Sequence, residues 1–398
     1  MTRVLTLSLP PETATPSLLA NVDHAIGELR RGRYVIILPT LAGEDRLLMQ
    51  AAEAVTPQSL GMLARLSGQP TELALTLRRA MVLGLVGGDS DGTSADPTDV
   101  VLVAVPSGLK AEETAALVLP RVGRPLSTLL PESVSTVSLP SRSTVGAAVR
   151  LTKLARLLPA AMVTALPKNV RMDLMGRTML TEGMAAHVTV ATEEVNAYDE
   201  HVVRTLRPVS EARVPLAGAE DARLIAFRPG DGGIEHLAII IGDPDGSTPV
   251  LTRLHSECFT GDLLGSLRCD CGNQLRGAIT AITTMGAGVL LYLAQEGRGI
   301  GLVNKLRAYQ LQDHGFDTLD ANGQLGFDDD ERIYLPAAAM LRQLGFQRVR
   351  LMTNNPHKVE ALVHYGIEVV ERIPHVFPAN HHNLSYLRTK ATRGGHLF

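Results

Sequence analysis

The sequence predicts two domains: an N-terminal α+β or α/β layer fold over residues 1–203 and a C-terminal layered α/β domain with a mixed sheet over residues 204–398. Three observations predict this. The chain has 398 residues, more than a single hydrophobic core usually serves. Helical and strand-like apolar patterns alternate along it. Its composition also breaks near residue 200: the first part holds only Tyr34 and Tyr198 among the aromatics, whereas every Phe and every Cys lies in the second.

The elements follow in order. Residues 18–31 have helical apolar spacing, and residues 34–38 read as a buried strand. Thr56 is an N-cap candidate, with Pro57 in the first turn of a helix reaching Leu66. Residues 87–92 read as a turn and 100–105 as another buried strand. The connection between domains is expected at residues 204–215, where Pro208 and Pro215 alternate with Val209 and Val214 in a strand-like way. Beyond it, 237–241 and 289–293 read as strands. A helix over 300–314 places Leu302, Leu306, Tyr309 and Asp313 on one stripe. Residues 348–352 form a strand, 356–365 a helix closed by Gly366, and 367–370 a further strand.

Composition excludes several classes. A hydrophobic fraction of 45% with 20% charged residues is ordinary globular material. The net charge of −3 gives no electrostatic case for nucleic-acid or anionic-membrane binding. No apolar run approaches the roughly 20 residues that span a bilayer, and residues 1–5 do not begin a secretion signal. Reduced, clustered cysteines suit a cytoplasmic protein.

Those cysteines, Cys258, Cys269 and Cys271, are the most informative feature. An odd number so crowded does not make a disulfide framework. Three thiolates supply three corners of a zinc tetrahedron and leave the fourth for water, whose pKa would fall to about 7. The competing reading is a set of buried structural thiols. Arg253, Leu254, His255, Ser256 and Glu257 run straight into Cys258, offering acid/base or supporting groups, or simply a polar strand end. Gln295 to Gly301 follows a strand and opens a helix, where glycine backbone and Arg298 suit a phosphate, although such glycines often only make the turn. Asp328, Asp329, Asp330 and Glu331 precede Arg332, as a solvated charge run or as acids that accept a proton or hold Mg²⁺. Thr353 to Lys358 sits at a strand-to-helix turn that suits a second phosphate contact or plain capping. All five clusters are expected in loops beside strands. Together they point to a zinc hydrolase acting on a phosphorylated ligand.

Read together, these stretches resemble GTP cyclohydrolase II. The resemblance rests on RLHSECFTGDLLGSLRCDCG at 253–272, QEGRGIGL at 295–302, KLRAYQLQD at 305–313, TNNPHK at 353–358 and YLRTKATRGGHL at 386–397. It implies that Cys258, Cys269 and Cys271 bind zinc. It also implies that Arg253, Leu254, His255, Ser256, Glu257, Gln274, Glu296, Gly297, Arg298, Thr318, Thr353 and Lys358 surround GTP, with Mg²⁺ on the phosphates. Asp330 aligns with the family's proton acceptor, Arg332 with a nucleophile toward the α-phosphate, and Tyr309 with a tyrosine that completes ring opening. The implied products are formate, pyrophosphate and 2,5-diamino-6-ribosylamino-4-pyrimidinone 5′-phosphate, the entry to riboflavin. The family is commonly a homodimer. One departure is Gly323, where a histidine is more usual, in what reads as a loop over 321–327.

The first part more faintly resembles 3,4-dihydroxy-2-butanone 4-phosphate synthase, through LRRGRYVII at 29–37, AAEAVTP at 51–57 and TVGAAVRLTKLA at 144–155. That family is α+β. Its acidic loop is reduced here to Glu44 and Asp45, and its Arg-x-Gly-His-Thr-Glu stretch to SRSTVG at 141–146. The reading is therefore a cyclohydrolase behind a degenerate, non-catalytic synthase domain. The alternatives are a bifunctional enzyme that also makes 3,4-dihydroxy-2-butanone 4-phosphate from ribulose 5-phosphate, or a silent paralogue that binds nucleotide and regulates.

Overall fold

The computed structural model describes residues 16–86, 96–106, 110–120, 134–167, 171–172, 178–179 and 187–397. The turn expected at 87–92 lies outside them.

The first half builds a seven-stranded sheet. In chain order it comprises α1 (Pro16–Arg30), β1 (Val35–Leu38), β2 (Leu47–Ala51), α2 (Pro57–Ser67), β3 (Glu72–Thr76), α3 (Leu77–Val82), β4 (Val100–Ala104), α4 (Ala111–Val118), β5 (Thr136–Leu139), α5 (Thr144–Leu154), β6 (Ala160–Ala165), the short ribbon β7 (Arg171–Met172) with β8 (Thr178–Met179), β9 (Val188–Ala191) and α6 (Thr192–Thr205). The sheet order is β5-β4-β3-β6-β2-β1-β9, antiparallel except where β9 joins β1. This is an α+β arrangement. The capping expected at Thr56 forms: its hydroxyl accepts from the Ser59 N–H at 3.1 Å, while Ser59 Oγ accepts from the Thr56 N–H at 2.8 Å.

The second half builds another seven-stranded sheet from β10 (Arg207–Arg213), β11 (Arg223–Arg228), β12 (His236–Ile241), β13 (Val250–Ser256), α7 (Cys271–Thr284), β14 (Gly288–Leu293), α8 (Leu302–Asp313), α9 (Thr318–Leu325), α10 (Leu335–Gln343), β15 (Arg348–Met352), α11 (Pro356–His364), β16 (Glu368–Ile373) and α12 (Leu384–Thr392). Its order is β10-β11-β12-β14-β13-β15-β16, antiparallel from β10 to β14 and parallel from β14 to β16. The mixed sheet expected from the sequence is present. Leu291, Leu341 and Leu362 bury one of its faces beneath α10 and α11, and Leu290 and Ile282 bury the other against α7.

Three expectations need correction. Most of 204–215 is a strand, as its alternation suggested, but as the edge strand β10 it belongs to the second sheet rather than to a connection, with a register shift between Pro208 and Ser210. Proline is tolerated at such an edge because a ladder N–H is not needed there. The stripe assigned to the helix at 300–314 is also rotated: Leu306 and Asp313 face solvent, while Asn304, Ala308 and Leu311 are buried. Helical periodicity pointed at the wrong face because α8 packs on the first half, in a core that joins Ala308, Leu311, Leu325 and Phe327 to Leu73, Leu75 and Val101. Finally, Gly323 lies inside helix α9 rather than in a loop, and a Cβ there would meet nothing within 4 Å.

Candidate active site

The parallel strands β14, β13 and β15 end at one edge of the second sheet, where crevices in open α/β sheets gather ligands. Along β13 successive side chains face opposite ways. Val250 and Leu254 enter the core under α10 and α11, whereas Arg253 and His255 line a cavity. Arg253, His255 and Ser256 thus belong to a central strand, not to a loop. The same cavity is lined by Ser256, Glu257, Cys258, Cys269, Cys271, Gln274, Glu296, Gly297, Arg298, Tyr309, Thr318, Arg332, Thr353 and Lys358. Of the residues that the resemblance assigns to zinc, GTP or catalysis, Leu254 and Asp330 stand off the wall, as do Asp328, Asp329 and Glu331 of the acidic run. Leu254 offers its backbone carbonyl, which accepts from Lys358 Nζ at 2.8 Å.

The three cysteine sulfurs lie within 4.8 Å of one another, with Cys258 Sγ 3.7 Å from Cys269 Sγ. Among the described residues they are the one such group of metal-ligating type. So close together, they do not ionise independently. Hydrogen bonds from Cys269 and Cys271 hold the Cys258 thiol far below its ordinary range. The bond to Cys258 pushes Cys269 up to about 11. A divalent cation would relieve this competition by taking all three as thiolates. The backbone is shaped to the sulfurs. A Cβ on Gly261 would lie 2.7 Å from Cys269 Sγ and 3.0 Å from Cys258 Sγ, and the Gly261 N–H donates to Cys258 Sγ at 3.3 Å. The donor set and this close approach fit a soft or borderline metal such as zinc.

Several supporting groups carried no role in the sequence reading. Asp262 accepts from the Cys258 N–H at 3.0 Å and from the Tyr292 hydroxyl at 3.0 Å, and contacts His255 Nε2 at 3.1 Å. His255 stacks on Tyr292, and its buried Nδ1 has no hydrogen-bond partner. Lys305 Nζ donates to Cys258 Sγ at 3.1 Å, Thr260 Oγ1 at 2.9 Å and Glu296 Oε1 at 2.9 Å. Glu296 also accepts from the Phe259 N–H at 2.6 Å, so it braces the turn that carries Cys258. Asp262 and Lys305 fall inside the motifs quoted above, and only folding shows what they hold.

The far wall is cationic. Lys358 is buried, and burial followed by Arg253 and Arg332 lowers its pKa well below the ordinary lysine value. Burial likewise brings Arg253 down to about 10. Arg253 Nη1 donates to the Met352 carbonyl at 2.9 Å, and its buried Nε has no partner. Lys390 and Tyr386 of α12 complete this wall, with Lys390 Nζ 3.1 Å from Asp270 Oδ1 and 4.2 Å from the centre of the Tyr386 ring. Thr353 and Asn355 form the turn from β15 into α11, where Asn355 accepts from the His357 N–H at 3.0 Å. Such a wall is short of negative charge, which a polyphosphate would supply.

Asp330 grips Arg332 in two places: Oδ1 accepts from Nε at 2.7 Å, and Oδ2 accepts from Nη2. Although burial alone would raise it, Arg332 holds the Asp330 carboxyl below the usual range. Tyr309 lies beside the thiols, its ring 4.9 Å from the Arg268 guanidinium, and burial raises its hydroxyl to about 12. The turn Glu296–Gly299 places Gly297 and Arg298 at φ +65° and +61°. For arginine that left-handed conformation is unusual, and here it aims the side chain at the Asp329 carbonyl, 3.1 Å away.

A thiol triad able to hold a metal, set beneath a cationic cleft, is the constellation of a metal-assisted hydrolase with an anionic substrate. Comparison with known proteins narrows that class. Residues 207–374 match the family model of GTP cyclohydrolase II. The chain is 53% identical over 396 residues, 98% of each protein, to a GTP cyclohydrolase-2 of Azospirillum brasilense. It is also 53% identical to the GTP cyclohydrolase-2 of Citrobacter koseri over 192 residues, covering 48% of this chain and 97% of that protein. The chain belongs to the GTP cyclohydrolase II family, and it is an enzyme of that activity in riboflavin biosynthesis. Among solved structures, the two-domain 3,4-dihydroxy-2-butanone 4-phosphate synthase RibBX of A. baumannii matches at TM-score 0.32 and 16% identity, over 90% of this chain and 99% of that one. A synthase in complex with two magnesium ions matches at TM-score 0.31 and 18% identity, over 45% of this chain and 96% of that one. Scores this low carry no argument about activity.

Proposed function

We propose that the cavity binds GTP and that the chain converts it to formate, pyrophosphate and 2,5-diamino-6-ribosylamino-4(3H)-pyrimidinone 5′-phosphate in a zinc-dependent hydrolysis. The observation that carries this reading is the pairing of a three-thiol cradle with a buried cationic wall, Arg253, Arg332, Lys358 and Lys390, in one cavity. Cys258, Cys269 and Cys271 hold the zinc, which when bound supplies a Lewis acid at the guanine ring. The cations take the triphosphate, accompanied by Mg²⁺. His255, Ser256, Glu257, Gln274, Glu296, Gly297, Arg298, Thr318 and Thr353 surround the nucleotide. Leu254 contributes only backbone, its carbonyl orienting Lys358.

Arg332 meets the α-phosphate: as its nitrogen bonds to the α-phosphorus, Asp330, already bonded to the guanidinium, accepts the proton, the α–β anhydride bond breaks and pyrophosphate leaves. Water later cleaves the N–P bond to free Arg332 and the 5′-monophosphate. Tyr309, beside the thiols, positions the opened ring for loss of formate. The domain division at 203/204 belongs to this proposal: residues 1–203 keep a synthase-like fold without its chemistry. Glu44, one of two acids left in that half's first loop, accepts from the Thr144 hydroxyl and N–H, at 2.5 and 3.1 Å, and so serves as a structural acceptor. A cytoplasmic homodimer completes the reading, with the exposed Leu263, Leu264 and Leu267 supplying apolar surface for a second copy. Among the described residues, no helix is long and apolar enough to cross a membrane.

Cys269→Ser tests the centre. The variant should retain less than about one tenth of the bound zinc and release no formate. Normal zinc content with normal turnover would overturn the assignment.

A further inference from the structure

The segment that carries Asp330 and Arg332, residues 328–332, contains neither helix nor strand. Its shape therefore depends on isolated bonds: the Asp328 N–H donates to Glu331 Oε1 at 2.9 Å within the segment, Asn322 Nδ2 donates to the Asp328 carbonyl at 3.3 Å, and further bonds come from its two sides. On the cleft side, the Glu331 N–H donates to the Arg298 carbonyl at 3.1 Å. Gly299 approaches so closely that a Cβ there would stand 2.7 Å from the Glu331 carbonyl oxygen. On the opposite side, the bonds come from the first half of the chain. Arg78 of α3 donates through Nε to Asp328 Oδ1 at 2.9 Å and through Nη1 to Asp329 Oδ1 at 2.9 Å. Lys153 of α5 donates to Glu331 Oε1 at 2.7 Å and to Asp328 Oδ2 at 3.3 Å.

Two cations thus fix three carboxylates within four residues. The five side chains are between 19% and 46% exposed, so water screens the network only partly. A lone surface pair of this kind would contribute little to stability. The two halves are in any case joined by the shared apolar core around Leu311, Leu325 and Phe327. What the network can govern is the path of segment 328–332, and with it the direction in which Arg332 faces the cavity. Asp330, the one acid of the run left by this network for Arg332, stays paired with it.

We propose that Arg78 and Lys153 are positioning residues for GTP hydrolysis: from the N-terminal half they clamp residues 328–331 and so set the approach of Arg332 and Asp330 to the substrate. The proposal rests on the reading of the cavity as the GTP site. It gives the first half a part in the reaction without any chemistry of its own.

The test uses the full-length, zinc-loaded enzyme with Arg78→Ala and Lys153→Ala combined, and Arg78→Lys alone. The double variant should lose about tenfold or more in kcat with KM changed less than about threefold, because misplacement acts on the reacting groups more than on binding. Its zinc content should match wild type, and amide exchange at residues 328–332 should quicken. Arg78→Lys keeps the charge but not the fork, and should recover to within about threefold of wild type. Unchanged kcat together with unchanged exchange would overturn the proposal. So would a fall in kcat that merely follows loss of zinc and of folded protein, with exchange no faster in this segment than elsewhere. Should wild type release no formate, the GTP reading itself fails, while exchange at 328–332 still decides whether the clamp holds the segment.

Discussion

Gly261 lies against the thiol centre with no room for a side chain. Its α-hydrogen faces the sulfurs at distances that a methyl group could not share. Gly261→Ala should weaken zinc binding about 10- to 100-fold, the range in which altered support for a ligand set usually falls. Competition with a chromophoric chelator would measure this, and undiminished affinity would contradict the close fit. At this scale the sequence was partly legible. Three cysteines in so short a span announce themselves by spacing. Asp262 and Lys305 do not, because an aspartate that gathers a histidine, a tyrosine and a backbone N–H acquires that role only when distant elements meet. Leu254 shows the converse: a motif position adjacent to the site can belong to the core.

Among the elements, the strands that carry the site were harder to see than those around them. Runs such as Val289 to Leu293 read as buried strands directly, whereas Arg253 and His255 disguised β13 as a polar loop. Their burial is possible because each faces a cavity with partners rather than packed hydrocarbon. Helix α8 misled for a related reason, since the face it buries is decided by the first half and not by its own strongest apolar period. The link between β12 and the loop after β14 also carries a pH dependence. The Ala294 N–H donates to His236 Nδ1 at 3.0 Å, and burial lowers His236 from 6.5 to about 4, with Arg156 adding to the effect against Asp231. A histidine whose folded pKa is depressed stabilises fully above its unfolded value and loses that contribution as pH falls toward the folded one. Between pH 6.5 and about 4, His236 should therefore cost about 2–3 kcal/mol of stability. Thermal unfolding across that window should fall less steeply for His236→Asn, whose amide oxygen keeps the Ala294 bond. Equal slopes would remove His236 from the account.

Across the whole molecule, the two halves interlock instead of standing as beads on a linker. The compositional break near residue 200 marked the division, but nothing in the sequence showed that α8 and α9 would complete the first half's core. Burying Leu311, Leu325 and Phe327 there contributes on the order of 1.5–3 kcal/mol for each side chain, which ties this part of the second half to the first. If the first half lacks synthase chemistry, as proposed above, it should not consume ribulose 5-phosphate. Pure enzyme incubated with that substrate and Mg²⁺ should leave it unchanged, and measurable formation of a four-carbon phosphate would show the half to be active. The reaction proposed for the cleft has its own test. The most direct test is to incubate the zinc-loaded protein with GTP and Mg²⁺ and quantify formate and the pyrimidine by mass. One formate should appear for each deformylated pyrimidine phosphate. Binding of GTP without formate, or a product that keeps the formyl carbon, would contradict the proposed reaction.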